Sequence, residues 1–136
     1  MPEKTIHLDV VTPERKVVSA ETTEVIAPGG HGLFGVRAGH TPFLTLIVPG
    51  ELSFKTDGAM RRYAVGGGFV EVAADRVVVL AETAEAQEEI DLERARRASD
   101  DALKRLANLS VNDPEHRLQR ARVRRSAARI GVALHR

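Results

Sequence analysis

The chain has no cysteine and no tryptophan, and only 4% of its 136 residues are aromatic. Without cysteine there are no disulfides and no thiolate metal sites, which suits a reducing compartment. With few rings, the core has to be built from Val, Leu, Ile and Ala. No apolar run approaches the roughly 20 residues of a membrane span. Met1 is followed almost at once by the strand-like "TIHLDVV", which leaves no room for a signal or transit peptide. A soluble protein is expected, or one held to a membrane only through a partner. The five histidines (His7, His31, His40, His116, His135) show no i, i+4 pairing. His7 and Asp9 share a strand face, but two ligands do not close a site, so no metal site is expected. No serine sits in a nucleophile elbow and no phosphate-loop lysine motif occurs. Glu82 and Glu85 read as a solvated linker rather than a catalytic pair, and catalysis is not expected.

The composition is that of a folded globular chain, 43% hydrophobic and 29% charged. Its net charge of +1 conceals an asymmetry. Residues 1–86 carry 8 Lys/Arg against 11 Asp/Glu, whereas residues 114–136 carry 7 Arg against one Glu. A basic terminal segment on an acidic body either docks within the molecule or seeks an acidic partner.

Two periodicities divide the chain. Up to about Glu85 short β-branched runs alternate with turn signals. "TIHLDVV" places Ile6, Leu8 and Val10 on one face. Asp57-Gly58 and Ala74-Asp75 have the length of hairpin turns, and Pro49-Gly50 breaks the run "FLTLIV". Strands recurring every 8–12 residues predict a flattened antiparallel β-sandwich over residues 1–86. Gly66-Gly67-Gly68 reads as a bulge or a close backbone approach. From 87 to 136 the period is helical and predicts a two-helix antiparallel hairpin. Asp91 is the expected N-cap of the first helix, which carries an apolar face of Leu92, Ala95, Ala102, Leu103, Leu106 and Leu109. Asp113-Pro114 opens the second, on which Val123, Ala127, Ile130 and Leu134 form the expected buried stripe. Such a hairpin is marginal alone and has to pack on something.

Gly30-His31-Gly32-Leu33-Phe34-Gly35 has the G-x-G-x-x-G spacing of a dinucleotide fingerprint. That fingerprint works only between a strand and a helix, where the helix N-terminus faces the pyrophosphate. Here Gly39 and Pro42 follow, and then another β-run, so turns between strands are expected instead. The Arg-rich second helix admits another reading, a β-domain nucleic-acid-binding module with a basic helical arm. Against it, this half of the chain has no aromatic to stack a base, and the β half is acidic.

Three segments, "HLDVVTPERKVVSAE", "FGVRAGHTPFLTLIVPGEL" and "YAVGGGFVEVAADRVVVLAETAE", resemble the epsilon subunit of F-type ATP synthases. The shared motifs are Gly39-His40-Thr41-Pro42, Pro49-Gly50 and Gly67-Gly68-Phe69-Val70-Glu71-Val72, and the likeness runs over essentially the whole chain. The resemblance implies a non-catalytic, peripheral central-stalk subunit on the cytoplasmic face of the bacterial inner membrane. It implies the gamma subunit, the c ring and the alpha/beta hexamer as partners, no nucleic acid, and membrane contact only through those partners. The sandwich would bind gamma and the c ring, with His31, Leu33, Phe34 and His40 at the ring contact. Leu33 departs from the acidic or amide residue common there, and Ala38 from a common proline. The tail would lie folded on the sandwich or extend to inhibit ATP hydrolysis, with Arg117, Arg120, Arg122 and Arg124 as its basic surface. "IDLERA" further resembles the Ile/Leu-Asp-x-x-Arg-Ala motif of ATP-binding epsilon subunits. It implies a regulatory ATP site, though no required cofactor, formed by Glu85, Ile90, Asp91, Arg94 and Ala95 with Arg125 and Arg129. Equally, Asp91 is a plain helix cap and Arg94 a surface ion-pair partner.

Overall fold

The computed structural model describes residues 4–135. Ten strands precede two helices: β1 Ile6–Val11, β2 Lys16–Thr22, β3 Glu24–Gly29, β4 Gly32–Arg37 and β5 Phe43–Ile47, then β6 Gly50–Thr56, β7 Ala59–Val65, β8 Gly68–Ala73, β9 Arg76–Ala81 and β10 Ala84–Ala86. The helices are α1 Leu92–Ala107 and α2 Pro114–Leu134, with a single 3₁₀ turn, Gln87–Glu89, before them. Hydrogen-bonded order runs β10-β7-β6-β3-β5-β8-β9-β1-β2, with β4 on the free side of β3. Strands β3 and β5 share only the pair Gly29↔Ile47, where the sheet folds over into two facing layers. Every ladder is antiparallel except β1 on β9, which is parallel; the first strand lies between β9 and β2.

Alternation sets which residues face inward. Ile6, Leu8 and Val10 are buried, Leu8 and Val10 pairing across to Val77 and Val79, while Leu52, Phe54 and Val25 close the core from the other layer. Phe54 stacks on Tyr63 at 5.9 Å between ring centroids, and aliphatic side chains fill the rest. Asp57 and Gly58 both adopt positive φ, 51° and 77°, as a tight β6–β7 hairpin requires. The triple glycine is a close approach: a Cβ on Gly68 would strike the Leu80 carbonyl oxygen. The G-x-G-x-x-G stretch is followed by no helix, and it is more than turns. Gly32 to Gly35 pair with β3 as part of β4, a strand that periodicity alone does not reveal.

Both helix starts follow the sequence. Asp91 Oδ1 accepts from the Arg94 amide at 3.1 Å, and Asp113 Oδ1 accepts from the Glu115 amide at 2.9 Å. Each cap contributes about 0.5–2 kcal/mol. The expected buried faces need correction. On α1 Ala95 and Ala102 are buried, whereas Leu103 is exposed. On α2 the buried residues are Gln119, Ser126 and Val132, while Ala127 and Leu134 are exposed. The two helices pack through small and polar side chains, which allow close approach but leave no apolar stripe to read.

On the outer face of β1, β2 and β9 a polar cluster is partly sealed from solvent. Asp9 is buried and accepts from Arg76 Nη2 at 2.7 Å, with Lys16 Nζ 3.7 Å away. His7 bridges two carboxylates, Nδ1 lying 2.7 Å from Glu21 and Nε2 3.1 Å from Asp9. Burial alone would push the Asp9 carboxyl up, but Arg76, Ser19, His7 and Lys16 together hold it down at about 2. The hydrogen bonds to Glu21 and Asp9 raise the His7 pKa, and the bond to His7 lowers that of Glu21. The signs oppose one another. Ionised Asp9 stabilises the fold above its unfolded value of 3.8 and loses that contribution as pH falls toward 2. The His7 contribution is full below 6.5 and is lost as pH rises through its raised value. We therefore expect the stability advantage of wild type over Asp9→Asn, read by urea melts, to be greatest from about pH 5 to 6.5, to shrink toward pH 2, and to fall in part again at higher pH as His7 loses its proton. An advantage independent of pH over that range would show that Asp9 acts by packing alone.

Candidate functional site

The sandwich and the hairpin enclose a cleft of about 510 Å³, within the usual range for small-ligand sites. Its floor is β7 and β10, with Glu85 at the edge; α1 contributes Arg94, and α2 contributes Arg122, Arg125 and Arg129. The capped start of α1 sets the position of Arg94, and the three α2 arginines follow at i, i+3 and i+7 on one helical face. Arg129 Nε donates to Glu85 Oε1 at 2.8 Å, tying the second helix to the last strand. Arg122 donates to Asp101 Oδ2 at 2.6 Å, tying the two helices together and holding the Asp101 carboxyl below its ordinary range. Arg94 and Arg125 form no ion pair among the described residues. Of the residues expected at a nucleotide site, Glu85, Arg94, Arg125 and Arg129 meet here. Ile90, Asp91 and Ala95 do not line the cleft: Asp91 caps α1, and Ala95 is buried against the second helix. Sequence reasoning had placed Arg122 on the outward basic surface. Only its pairing with Asp101, 21 residues away, shows it turned inward.

Around the β3–β4 turn, His31, Leu33, Phe34 and His40 surround one open, apolar depression. Phe34 and His40 both pack on Phe43, at 5.7 Å and 5.0 Å between ring centroids. Leu33 projects with 70% of its surface exposed. A third feature was missed in the sequence. Leu46, Phe69 and Leu80 are cross-strand partners in register on β5, β8 and β9, and all three are exposed. With Leu44 beside them they form an apolar outer face continuous with the Asp9 cluster. The signal was available: strands with apolar residues in both phases, as in "FLTLIV", are covered on both faces.

The tail rests on the sandwich through the last turns of α2. Val132 is buried, and the Gln87 amide donates to the carbonyls of Val132 and His135 at 2.8 and 2.6 Å. His135 Nδ1 lies 2.8 Å from Glu51 Oε1. Nearer its start, Arg117, Arg120 and Arg124 are exposed and form no ion pair among the described residues. Among the described residues no helix is long and apolar enough to cross a membrane, and no group of three or more His or carboxylate side chains can hold a metal.

Comparison with known proteins agrees with this architecture. Residues 5–87 match the family model for the ATP synthase delta/epsilon chain β-sandwich domain. The ATP synthase epsilon chain of Anaeromyxobacter sp. (strain K) is 54% identical, over 94% of this chain and 97% of that protein. The epsilon chain of Myxococcus xanthus is 50% identical over 94% of each. Among solved structures, a chain of the Euglena gracilis mitochondrial ATP synthase OSCP/F1/c-ring assembly superposes with a TM-score of 0.82 at 21% identity, covering 99% of this chain and 85% of that one. A chain of the Tetrahymena thermophila mitochondrial ATP synthase central stalk and c ring gives 0.65 at 13% identity, over 96% of each. The structural matches establish a shared fold, and with the curated relatives at half identity over nearly their full length, the chain belongs to the ATP synthase epsilon-chain family.

Proposed function

We propose that the chain is a non-catalytic subunit of the central stalk of an F-type ATP synthase. In this role it couples rotation to the c ring and restrains ATP hydrolysis through its two C-terminal helices. The observation that carries this reading is how lightly the tail is held. One buried valine contributes about 1.5–3 kcal/mol, two amide hydrogen bonds about 0.5–1.5 kcal/mol each, and half-exposed ion pairs about 0–1 kcal/mol each. The total is a few kcal/mol, enough to favour the folded tail and small enough for a competing surface to release it. Family membership supports gamma, the c ring and the alpha/beta hexamer as partners. It also supports a peripheral location on the cytoplasmic side of the bacterial inner membrane.

Residues 1–86 serve as the binding domain and residues 87–136 as the regulatory arm. The outer face built from Leu46, Phe69 and Leu80 is the surface for gamma, because exposed, in-register apolar rows on a soluble sandwich mark a protein contact. The tip around His31, Leu33, Phe34 and His40 faces the ring. On release of the tail, Arg117, Arg120 and Arg124 meet acidic surface on the catalytic hexamer, a contact steered by charge and weakened by salt. Reconstitution with the enzyme core separates the two surfaces. Phe69→Asp is expected to lose incorporation. The triple change of Arg117, Arg120 and Arg124 to Ala is expected to assemble normally but inhibit hydrolysis less, with the difference shrinking as salt rises. Arg122 is left unchanged because its loss would also loosen the hairpin. Full inhibition by the triple variant at low salt would contradict the charge mechanism.

The cleft serves as a regulatory ATP site. Guanidinium groups from both helices converge on it, so a bound triphosphate bridges α1 and α2 and favours the folded tail. A ligand at about 100 times its dissociation constant stabilises the state it binds by roughly 2.7 kcal/mol. We expect millimolar ATP to raise the melting temperature of the isolated chain and Arg94→Ala to remove most of that rise. An unmoved wild-type midpoint would leave Ile90–Ala95 as a helix start and nothing more.

A further inference from the structure

We propose that Glu71 receives one basic side chain of the subunit that covers the outer face of β5, β8, β9, β1 and β2, and that this ion pair fixes the register of the contact. The proposal rests on the reading of that face as the surface for gamma, and it names the chemistry that gamma has to offer there. Two observations carry it, the place of the carboxylate and its isolation.

The place follows from strand register. Glu71 on β8 lies opposite Leu44 on β5 and Val78 on β9, and its side chain shares their face. Phe69 precedes it by two residues on the same face, and Leu46 and Leu80, the cross-strand partners of Phe69, stand on its diagonals. Such neighbours lie within roughly 5 to 8 Å. Leu44, Leu46, Phe69 and Leu80 are between 48% and 65% exposed, and Glu71 is exposed in their midst. A partner that covers these apolar side chains covers the carboxylate as well.

The isolation appears when the charges of the face are followed one by one. Strand β5 carries none. On β1, β2, β8 and β9 the charged residues are Asp9, Lys16, Glu21, Glu71 and Arg76, with His7 beside them. Arg76 lies 2.7 Å and Lys16 3.7 Å from Asp9, and His7 lies 2.7 Å from Glu21. Glu71 forms no ion pair and no hydrogen bond among the described residues. Arg76, the cation nearest to it in register, is held by Asp9 on the far side of Val78. The face thus neutralises its charges internally, except for the one set among its apolar residues.

That exception has a consequence once the face is covered. An ionised carboxylate removed from water without a partner is among the most unfavourable burials in a protein. Met by a cation, it is roughly neutral relative to an apolar pair of similar size. The pair therefore adds little net affinity, but it penalises every placement of the partner that leaves Glu71 unmet.

Uptake of the dye-labelled full chain by an enzyme core stripped of this subunit tests the proposal. The informative change is Glu71→Leu, which extends the apolar row. If gamma brings a cation, Leu leaves that cation buried and unpaired, and Kd rises by about thirtyfold or more. Glu71→Lys sets like charges together and raises it further. Without a cation opposite, Glu71→Leu removes only a desolvation penalty, and binding equal to or tighter than wild type overturns the proposal. Should Glu71→Leu aggregate, Glu71→Lys decides, and uptake equal to wild type overturns the proposal in the same way. Phe69→Asp, measured alongside, separates the two readings. Loss of uptake in Phe69→Asp with undiminished binding by Glu71→Leu leaves the gamma face standing and removes the ion pair. Unchanged uptake of Phe69→Asp removes both; if that variant also abolishes a dimer of the isolated chain, the face belongs to a second copy.

Discussion

The attachment of α2 to the sandwich is the contact on which the rest of this molecule depends. It is made by the last turns of a helix whose earlier turns carry charge rather than apolar surface. Val132 is buried, Gln87 donates to two carbonyls at the helix end, and Glu85 and Glu51 hold Arg129 and His135. The first helix reaches the body chiefly through the second, packing by Ala95 and Ala102 and joined by the Arg122–Asp101 bridge. One small seam thus decides whether both helices are down or free.

That seam also forms the cleft. The ion pair that docks α2, Glu85 with Arg129, lies in its wall, and the arginines available to an anion flank it. An anion bound there adds to the contacts that keep the tail folded, so binding and docking are linked without a separate transmitting element. The sandwich away from that seam is built differently. There the sandwich is closed by a continuous aliphatic core, and its exposed apolar row is held rigid by strand register. A stiff coupling surface and a weakly held regulatory arm are what a stalk subunit with an inhibitory tail requires.

Much of this was legible in the sequence where a residue type has a local mechanical duty. Asp57-Gly58 marked its hairpin, Asp91 and Asp113-Pro114 marked the helix starts, and Ile6, Leu8 and Val10 marked an inward strand face. The glycines of residues 30–35 lead into a strand and not into a helix, as the Gly39 and Pro42 that follow them implied. Features that depend on a distant partner were not legible. Strand β4 exists because β3 offers a free edge, not because its own glycines favour a strand. The buried face of α2, with Gln119 and Ser126, escapes a hydrophobic pattern because helix packing there uses small and polar groups. Arg122 looked like one more exposed cation until Asp101 was placed beside it. The cleft residues were legible only in part: the spacing of "IDLERA" located Arg94, but Asp91 and Ala95 serve the helix itself.

The most direct test of the account exploits the absence of cysteine. Replacing Glu85 and Arg129 by cysteines places the only two thiols in the protein across the docking seam, where oxidation can lock the tail down. In the reconstituted enzyme the account predicts normal assembly of the oxidised protein, no inhibition of ATP hydrolysis by it, and recovery of inhibition on reduction. Equal inhibition by the fully oxidised and reduced forms would contradict it, since the folded tail would then itself be the inhibitor.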